Sequence, residues 1–506
     1  MNPYTQNFNL SVTRSLNRYV TLDVRYVGTV SRKNYTTTNL NALNFLSNGL
    51  VENLERIRNG TEINKATGDP KDVLDKMFEG INICAATCIP GTYGAVGTTT
   101  GGVYQSAAMQ LRSRTDFQSQ LANAQYVTAP QFVTPLVQSL ANLNYVTTGT
   151  NASLPAIPAG TVGGVVRYAN TVTYPGQFPE NFIFTNPQFS AVNMQTNSGY
   201  SNYHSLQVQS SIRPIQGFSG QVTYSWSKNL GVTGTFTDPT DRAQDYTAIN
   251  NNPGHSLRMN GTIELPIGPN KLLMGNSSGW LARAIEQWQL GLIYNLTSGS
   301  PMSITATSML YANGVPDIVY PVDFNSLKGV RWGTQNGAFL EGRYFDNNDL
   351  FVKVDDPQCG LVTSSQGLNN VVGGVQTRCT LDSLAMAVPA GTAGAIDRVF
   401  ADGQTRPSVI VLQHPQPGKR GTFGQNTLIG LGSYRFDATL GKTFRMSESK
   451  SLQVRFDAQN VLNHPQPNNP QGGAVPAVSI TGNDYFGRIQ QKGGGRSLQG
   501  QLRFNF

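Results

Sequence analysis

The chain has 506 residues, with 53 glycines and 27 prolines, and only 13% are charged, against roughly 25% in ordinary soluble domains. That balance excludes a helical bundle, which needs more Glu, Lys, Ala and Leu, and it suits turns, long loops and strands with one polar face. No apolar run reaches the 18 residues of a membrane-crossing helix, and the net charge of +8 is scattered, without the clustered Lys/Arg and interleaved aromatics of a nucleic-acid surface.

Taken in chain order, the informative signal is alternation with a period of two, in segments of about ten residues, the length a tilted strand needs to cross a bilayer. Phe8, Leu10 and Val12 alternate with Asn7, Asn9, Ser11 and Thr13. Val20, Leu22, Val24 and Tyr26 alternate with Thr21, Asp23 and Arg25; Leu206, Val208 and Ile212 with Gln207, Gln209 and Arg213. Val222, Tyr224 and Trp226 alternate with Thr223, Ser225 and Ser227; Leu257, Met259, Ile263 and Leu265 with Arg258, Asn260, Thr262 and Glu264. Trp288, Leu290, Leu292, Tyr294 and Leu296 oppose Gln289, Asn295 and Thr297; Tyr434, Phe436, Ala438 and Leu440 oppose Arg435, Asp437 and Thr439. Leu452, Val454, Phe456 and Ala458 oppose Gln453, Arg455, Asp457 and Gln459, and the chain ends with Leu498, Leu502, Phe504 and Phe506 against Gln499, Gln501, Arg503 and Asn505. A soluble sandwich or propeller has shorter, evenly spaced strands.

The connections alternate in length: a few residues near Asn17, a long stretch over 30–202, Pro214–Gly217, a medium loop from Asn229 to Gly254, an intermediate Pro266–Ala284, a long stretch over 298–430, a tight turn near Ser447, and a medium 461–495. Short turns at one end and long loops at the other are the pattern of an outer-membrane barrel, with Pro266–Ala284 fitting least well. The expected fold is therefore all-β: an antiparallel transmembrane β-barrel, partial, of about nine to ten long strands. Two partly structured extracellular insertions, 30–202 and 298–430, are expected on it. Within them Val51–Arg58, Lys71–Glu79 and Met109–Ala124 have helical patterning, and Ser408–Gln413 reads as a short strand.

The polar sets supply the lumen-facing candidates Asp23, Arg25, Arg213, Arg258, Glu264, Asp437, Arg455 and Asp457, which would line the interior and contact a plug, or serve as structural cross-strand ion pairs. The four cysteines form two local pairs, Cys84 with Cys88 and Cys359 with Cys379. Two disulfides suit an oxidising compartment, and four unpaired thiols are the alternative; neither pair has C-x-x-C spacing. Asp238, Asp241 and Asp245 share one loop but lack the glycine and bidentate glutamate of a calcium loop, so a solvated acidic loop is preferred. The four histidines, His204, His255, His414 and His464, form no H-E-x-x-H pair, and no catalytic constellation or cofactor site is read. His414-Pro415-Gln416-Pro417 and His464-Pro465-Gln466-Pro467 repeat one tetrapeptide, taken as two extended loop segments.

Pro3–Thr29, Asn197–Gln209 (NSGYSNYHSLQVQ), Gly217–Leu230 (GFSGQVTYSWSKNL), Asp238–Gly268, Tyr434–Met446 (YRFDATLGKTFRM) and Leu452–Gln466 (LQVRFDAQNVLNHPQ) resemble the barrel of Oar-like TonB-dependent receptors. The family's His-Arg pair is split here as His255-Ser256-Leu257-Arg258, and the long loops from Thr38 to Pro158 and from Gly314 to Thr405 lie outside the resemblance. It implies a bacterial outer-membrane barrel with an N-terminal plug, energised through TonB. The N-terminus has no basic n-region and apolar h-region, and no plug or TonB box is read. The expectation is thus a C-terminal barrel portion, engaging TonB only through a missing N-terminal region and leaving an open sheet. Outer-membrane lipid and the barrel-assembly machinery are the implied partners, Phe506 being similar to the aromatic terminal signal the latter reads. A structural or adhesive surface protein whose loops bind partners is the competing reading, and an enzyme is not expected.

Overall fold

The structure is a computed structural model. It describes residues 2–506 apart from 42–43, 46, 62–63, 81, 85–87, 89–91, 116–117, 127–159, 163–164, 168–181, 184–191, 233–235, 237–241, 250–251, 308–313, 336–337, 346–349, 363–369, 373–374, 378, 401, 448, 465, 468–476, 482–485 and 490–491. Asp238, Asp241 and Pro465 therefore lie outside the described residues.

The alternating segments become nine long strands of one sheet: β1 (Tyr4–Ser15), β2 (Val20–Asn39), β3 (Asn193–Ile215), β4 (Phe218–Val232), β5 (His255–Glu264), β6 (Gln289–Thr297), β7 (Ser433–Arg445), β8 (Ser451–Gln459) and β9 (Ser497–Asn505). Each pairs antiparallel with its sequence neighbour, and the two-residue strand Thr247–Ala248 adds to β4. The tight turns are built by local chemistry. Asn17 Oδ1 accepts the backbone N–H groups of Tyr19 and Val20 at 2.8 and 2.9 Å between β1 and β2. Gln216 and Gly217, at φ 49° and 81°, supply the left-handed pair that a two-residue hairpin needs between β3 and β4.

Register decides the faces, because residues directly opposite on a ladder share a side. One row runs Val12, Val24, Val208, Tyr224, Leu257, Leu296, Tyr434 across seven strands. The next row of the opposite face runs Thr13, Asp23, Gln209, Thr223, Arg258, Asn295, Arg435. Every apolar set named above thus falls on one face and every polar set on the other. Among the described residues no ladder joins β1 to β9, so the sheet stays open, and both edge strands are exposed along their whole length.

The boundaries shift in one respect. β2 and β3 remain paired from Arg32↔Tyr200 out to Asn39↔Asn193, so the first insertion starts and ends about ten residues further out than 30–202 suggests. Beyond Tyr26 both faces of β2 carry Thr, Ser, Asn and basic residues, so no alternation marks the extension. A bulge around Lys33, at φ 57°, re-aims the hairpin as it leaves the regular part.

The two long insertions pack on each other. In the first are α1 (Leu50–Arg58), α2 (Val73–Phe78), α3 (Ala107–Ser113) and α4 (Gln118–Ala122). Leu50, Leu54 and Ile57 of α1 repeat at helical spacing and are fully buried. Asp72 and Ser106 cap α2 and α3 by accepting Asp75 N at 2.8 Å and Met109 N at 3.1 Å. The Met109–Ala124 pattern is divided between two helices. The helical core continues into the second insertion through Val362, Cys379 and Leu381. That insertion has its own five-stranded sheet, containing Thr405–Gln413 at its centre, and an aromatic core in which Phe324 and Phe345 meet Phe351 and Phe486.

Candidate functional site

The polar face of the main sheet is the first candidate surface. Three strands place an arginine and an aspartate two residues apart, hence on the same side. Arg25 reaches Asp23 at 2.9 Å, Arg435 reaches Asp437 at 2.8 Å, and Arg455 reaches Asp457 at 2.9 Å. Each aspartate is also tied down by a neighbour: Thr13 Oγ1 donates to Asp23 at 3.2 Å, Asn460 N to Asp437 at 2.8 Å, and Thr439 Oγ1 to Asp457 at 2.7 Å. The result is asymmetric. The aspartate side chains are 19–25% exposed and the arginines 43–47%, so the carboxylates are seated while the guanidinium groups project. Such exposed pairs contribute little stability; what they provide is orientation of a group with five donors.

All eight lumen-facing candidates lie on this face, but they do not converge. Asp23 with Arg25 and Arg455 with Asp457 are brought together. Asp437 pairs with Arg435, which lies outside the set of eight, although Arg435-Phe436-Asp437 and Arg455-Phe456-Asp457 repeat one tripeptide in adjacent strands. Glu264 meets Lys271 at 3.3 Å instead of another candidate. Arg258 is exposed between Thr223 and Asn295, and Arg213 binds through its backbone N–H to Tyr19 O at 2.8 Å. A groove of about 680 Å³ on the same face is lined by Thr262, Glu264, Gln289, Thr443, Gln453 and Arg455. Its chemistry is that of hydroxyls, amides and a few charges, a wettable hydrogen-bonding wall.

The second candidate surface is the body formed by the two insertions. Cys84–Cys88 and Cys359–Cys379 are disulfides, with Cα separations of 5.1 and 5.3 Å. Asn123 Oδ1 accepts Thr380 N at 2.7 Å, and Arg58 donates to Ala122 O at 3.0 Å and Gln358 O at 3.5 Å, joining one insertion to the other. Arg112, wholly buried, donates at 2.7 Å to the carbonyls of Ile57 and Arg58 that end α1, and burial lowers its pKa to about 10. Lys65 bridges Asp72 and Asp75, both at 2.7 Å. Burial pushes the Asp75 carboxyl up despite that contact.

A third node lies where the strand Thr405–Gln413 ends. Asp356 Oδ2 accepts from Ser383 Oγ at 2.7 Å and His414 N at 2.9 Å, and Oδ1 from Gln358 N at 2.9 Å. Gln358 Nε2 in turn donates to His414 O at 2.9 Å. Asp356, Gln358, Ser383 and His414 are all buried. Burial lowers the His414 pKa from its ordinary value near 6.5, against smaller opposing pulls from Asp356 and the backbone of Thr307 and Asp382. A base depressed in the folded state stabilises fully above its unfolded value, and that contribution is lost as pH falls through the folded one. Proteolysis of the second insertion should therefore accelerate as pH drops from about 7 towards 5, and His414→Gln should flatten the dependence. Equal protection across that range would contradict the assignment. The repeated tetrapeptide thus has two settings, for His464 stacks on Tyr434 with ring centroids 3.9 Å apart.

Among the described residues no three His, Cys, Asp or Glu side chains gather as a metal site requires, and no helix is long and apolar enough to cross a membrane. A family model described as "Outer membrane beta barrel domain" matches residues 1–499. The chain belongs to the outer-membrane β-barrel domain family. No curated protein of matching sequence was found. As an outer-membrane β-barrel domain, the protein resides in the bacterial outer membrane; in such barrels apolar rows meet lipid and polar rows face the interior. In barrels of this kind short turns lie on the periplasmic side and long loops on the extracellular side.

Proposed function

We propose that the chain forms barrel wall of an Oar-like TonB-dependent receptor, taking part in uptake or export of a substrate across the outer membrane. The observation that carries this reading is the set of projecting arginines, Arg25, Arg435 and Arg455, each held by a seated aspartate on the lumen side. Such groups suit carboxylate and amide partners on a plug, or an anionic solute. TonB would act through the plug, and the chemistry asked of the wall is recognition, with no catalytic step and no cofactor. The test is substrate accumulation by cells producing the whole receptor, with and without TonB. Arg435→Glu and Arg455→Glu should together lower accumulation at least several-fold at unchanged outer-membrane level. Accumulation or binding indifferent to TonB would sink this reading. It would favour the second one, an adhesive surface protein, which the disulfide-linked extracellular body supports.

We also propose that β9 is the strand read by the barrel-assembly machinery. Leu498, Leu502 and Phe504 alternate along it, and Phe506 stacks on Phe504 with centroids 6.1 Å apart while remaining 92% exposed. Deleting Phe506 should reduce the inserted, heat-modifiable form several-fold in cells. Unchanged insertion would argue against that role.

A further inference from the structure

The β5–β6 connection breaks the pattern of its end of the sheet. The neighbouring turns there are tight, yet this one spans residues 265–288 and includes a short helix, α5 (Gly279–Ile285). Large apolar side chains also stand far into the open here. Leu272 is 86% and Trp280 81% exposed, and Leu273 and Met274 52% each.

The segment is nonetheless held in a defined shape. Gly268 N donates to Leu273 O and Leu273 N to Pro266 O, both at 2.9 Å, and Asn270 N to Gly275 O at 3.1 Å. Trp288 Nε1 donates to Ala284 O at 3.0 Å. The decisive contact is Lys442 Nζ with the Arg283 carbonyl oxygen. Lys442 stands in the apolar row with Val454 and Leu502, so α5 is docked on the lipid side of the wall.

We infer that the β5–β6 connection is a membrane-surface anchor lying in the periplasmic leaflet of the outer membrane. Trp280 and Leu272 enter the acyl boundary and Arg283 stands at the level of anionic phospholipid headgroups, while Lys271, paired with Glu264 at 3.3 Å, ties the connection to the end of β5. The helix that carries Trp280 is docked on the apolar face of the wall through Lys442, which identifies the occupant of its exposed side as lipid. Trp at the boundary with a basic residue beside it, here Arg283, is the composition that seats an interfacial segment. The lysine on the apolar row is accounted for as well: its ammonium is capped by the Arg283 carbonyl and lies 4.7 Å from the Phe444 ring centre, shielded by the anchor.

Because the native cysteines are disulfide-bonded, single spin labels can be placed at Leu272→Cys and Trp280→Cys. Leu292→Cys serves as a lipid-face reference and Thr223→Cys as a lumen reference. The full chain is reconstituted in phosphatidylethanolamine–phosphatidylglycerol vesicles, and label accessibility to oxygen and to a water-soluble nickel complex is compared. Labels at 272 and 280 are expected to favour oxygen at least several-fold over the Thr223 reference, at shallower depth than Leu292. Nickel-accessible labels at 272 and 280 beside a lipid-exposed Leu292 label overturn the anchor alone. Nickel access at 272, 280 and 292 overturns it together with the orientation of the sheet. Dipolar broadening between labels at 272 on separate copies would assign the patch to a second copy of the chain, and overturns it too.

Discussion

Leu292→Arg is expected to destabilise the inserted protein by about 2–4 kcal/mol, the cost of a basic side chain on the lipid face near the bilayer centre. Leu292 lies mid-strand in β6, opposite Gly261 on one side and Ala438 on the other. Neither neighbour offers a carboxylate or an acceptor side chain, and neither is bulky enough to shield a guanidinium. Gln209→Arg, on the polar face beside Asp23, should change stability by no more than about 0.5 kcal/mol. Urea titration of vesicle-inserted protein, read by heat-modifiable gel mobility, measures both. Equal behaviour of the two variants would mean that the faces are assigned the wrong way round.

Asp356→Ala should loosen the second insertion by about 3–5 kcal/mol. Bonds to a charged acceptor contribute about 1.5–3 kcal/mol each, and the three here share one carboxylate, so they do not add fully. The loss is felt at Ser383, Gln358 and His414 together, which tie the central strand to the segment bearing Cys359. Ser383→Ala removes one of those bonds and should cost about 1–2 kcal/mol. Hydrogen exchange of Thr405–Gln413 resolves the two, with β5–β8 as an internal reference that should not move. An Asp356→Ala protein whose exchange matches the parent would refute the node's role.

What could be read from the residues follows from where solvent changes abruptly. Across the bilayer one face meets lipid and the other water, so Leu22, Val24 and Tyr26 had to alternate with Thr21, Asp23 and Arg25, and the strands and their faces were legible. Where β2 and β3 rise above that boundary, both faces meet water and the signal vanishes although the pairing continues. In the insertions, Leu50, Leu54 and Ile57 announced α1, but their partners Val362 and Leu381 lie some three hundred positions away, a contact that no local pattern encodes. The Asp356–His414 node was hidden for the same reason: His414 sits between Gln413 and Pro415 in what reads as an exposed loop, and only long-range packing buries it. Arg435 was recoverable, because its spacing from Asp437 repeats that of Arg455 from Asp457.

The extension of β2 and β3 has a consequence for how the first insertion is mounted. From Lys33 to Asn39 the hairpin continues beyond the last pairs with β1 and β4, and at about 3.3 Å per residue that is a two-stranded ribbon roughly 20 Å long. A two-stranded ribbon is strongly twisted and stiff in the plane of its hydrogen bonds. It acts as a stem: the first insertion leaves the wall through two paired strands instead of loose coil.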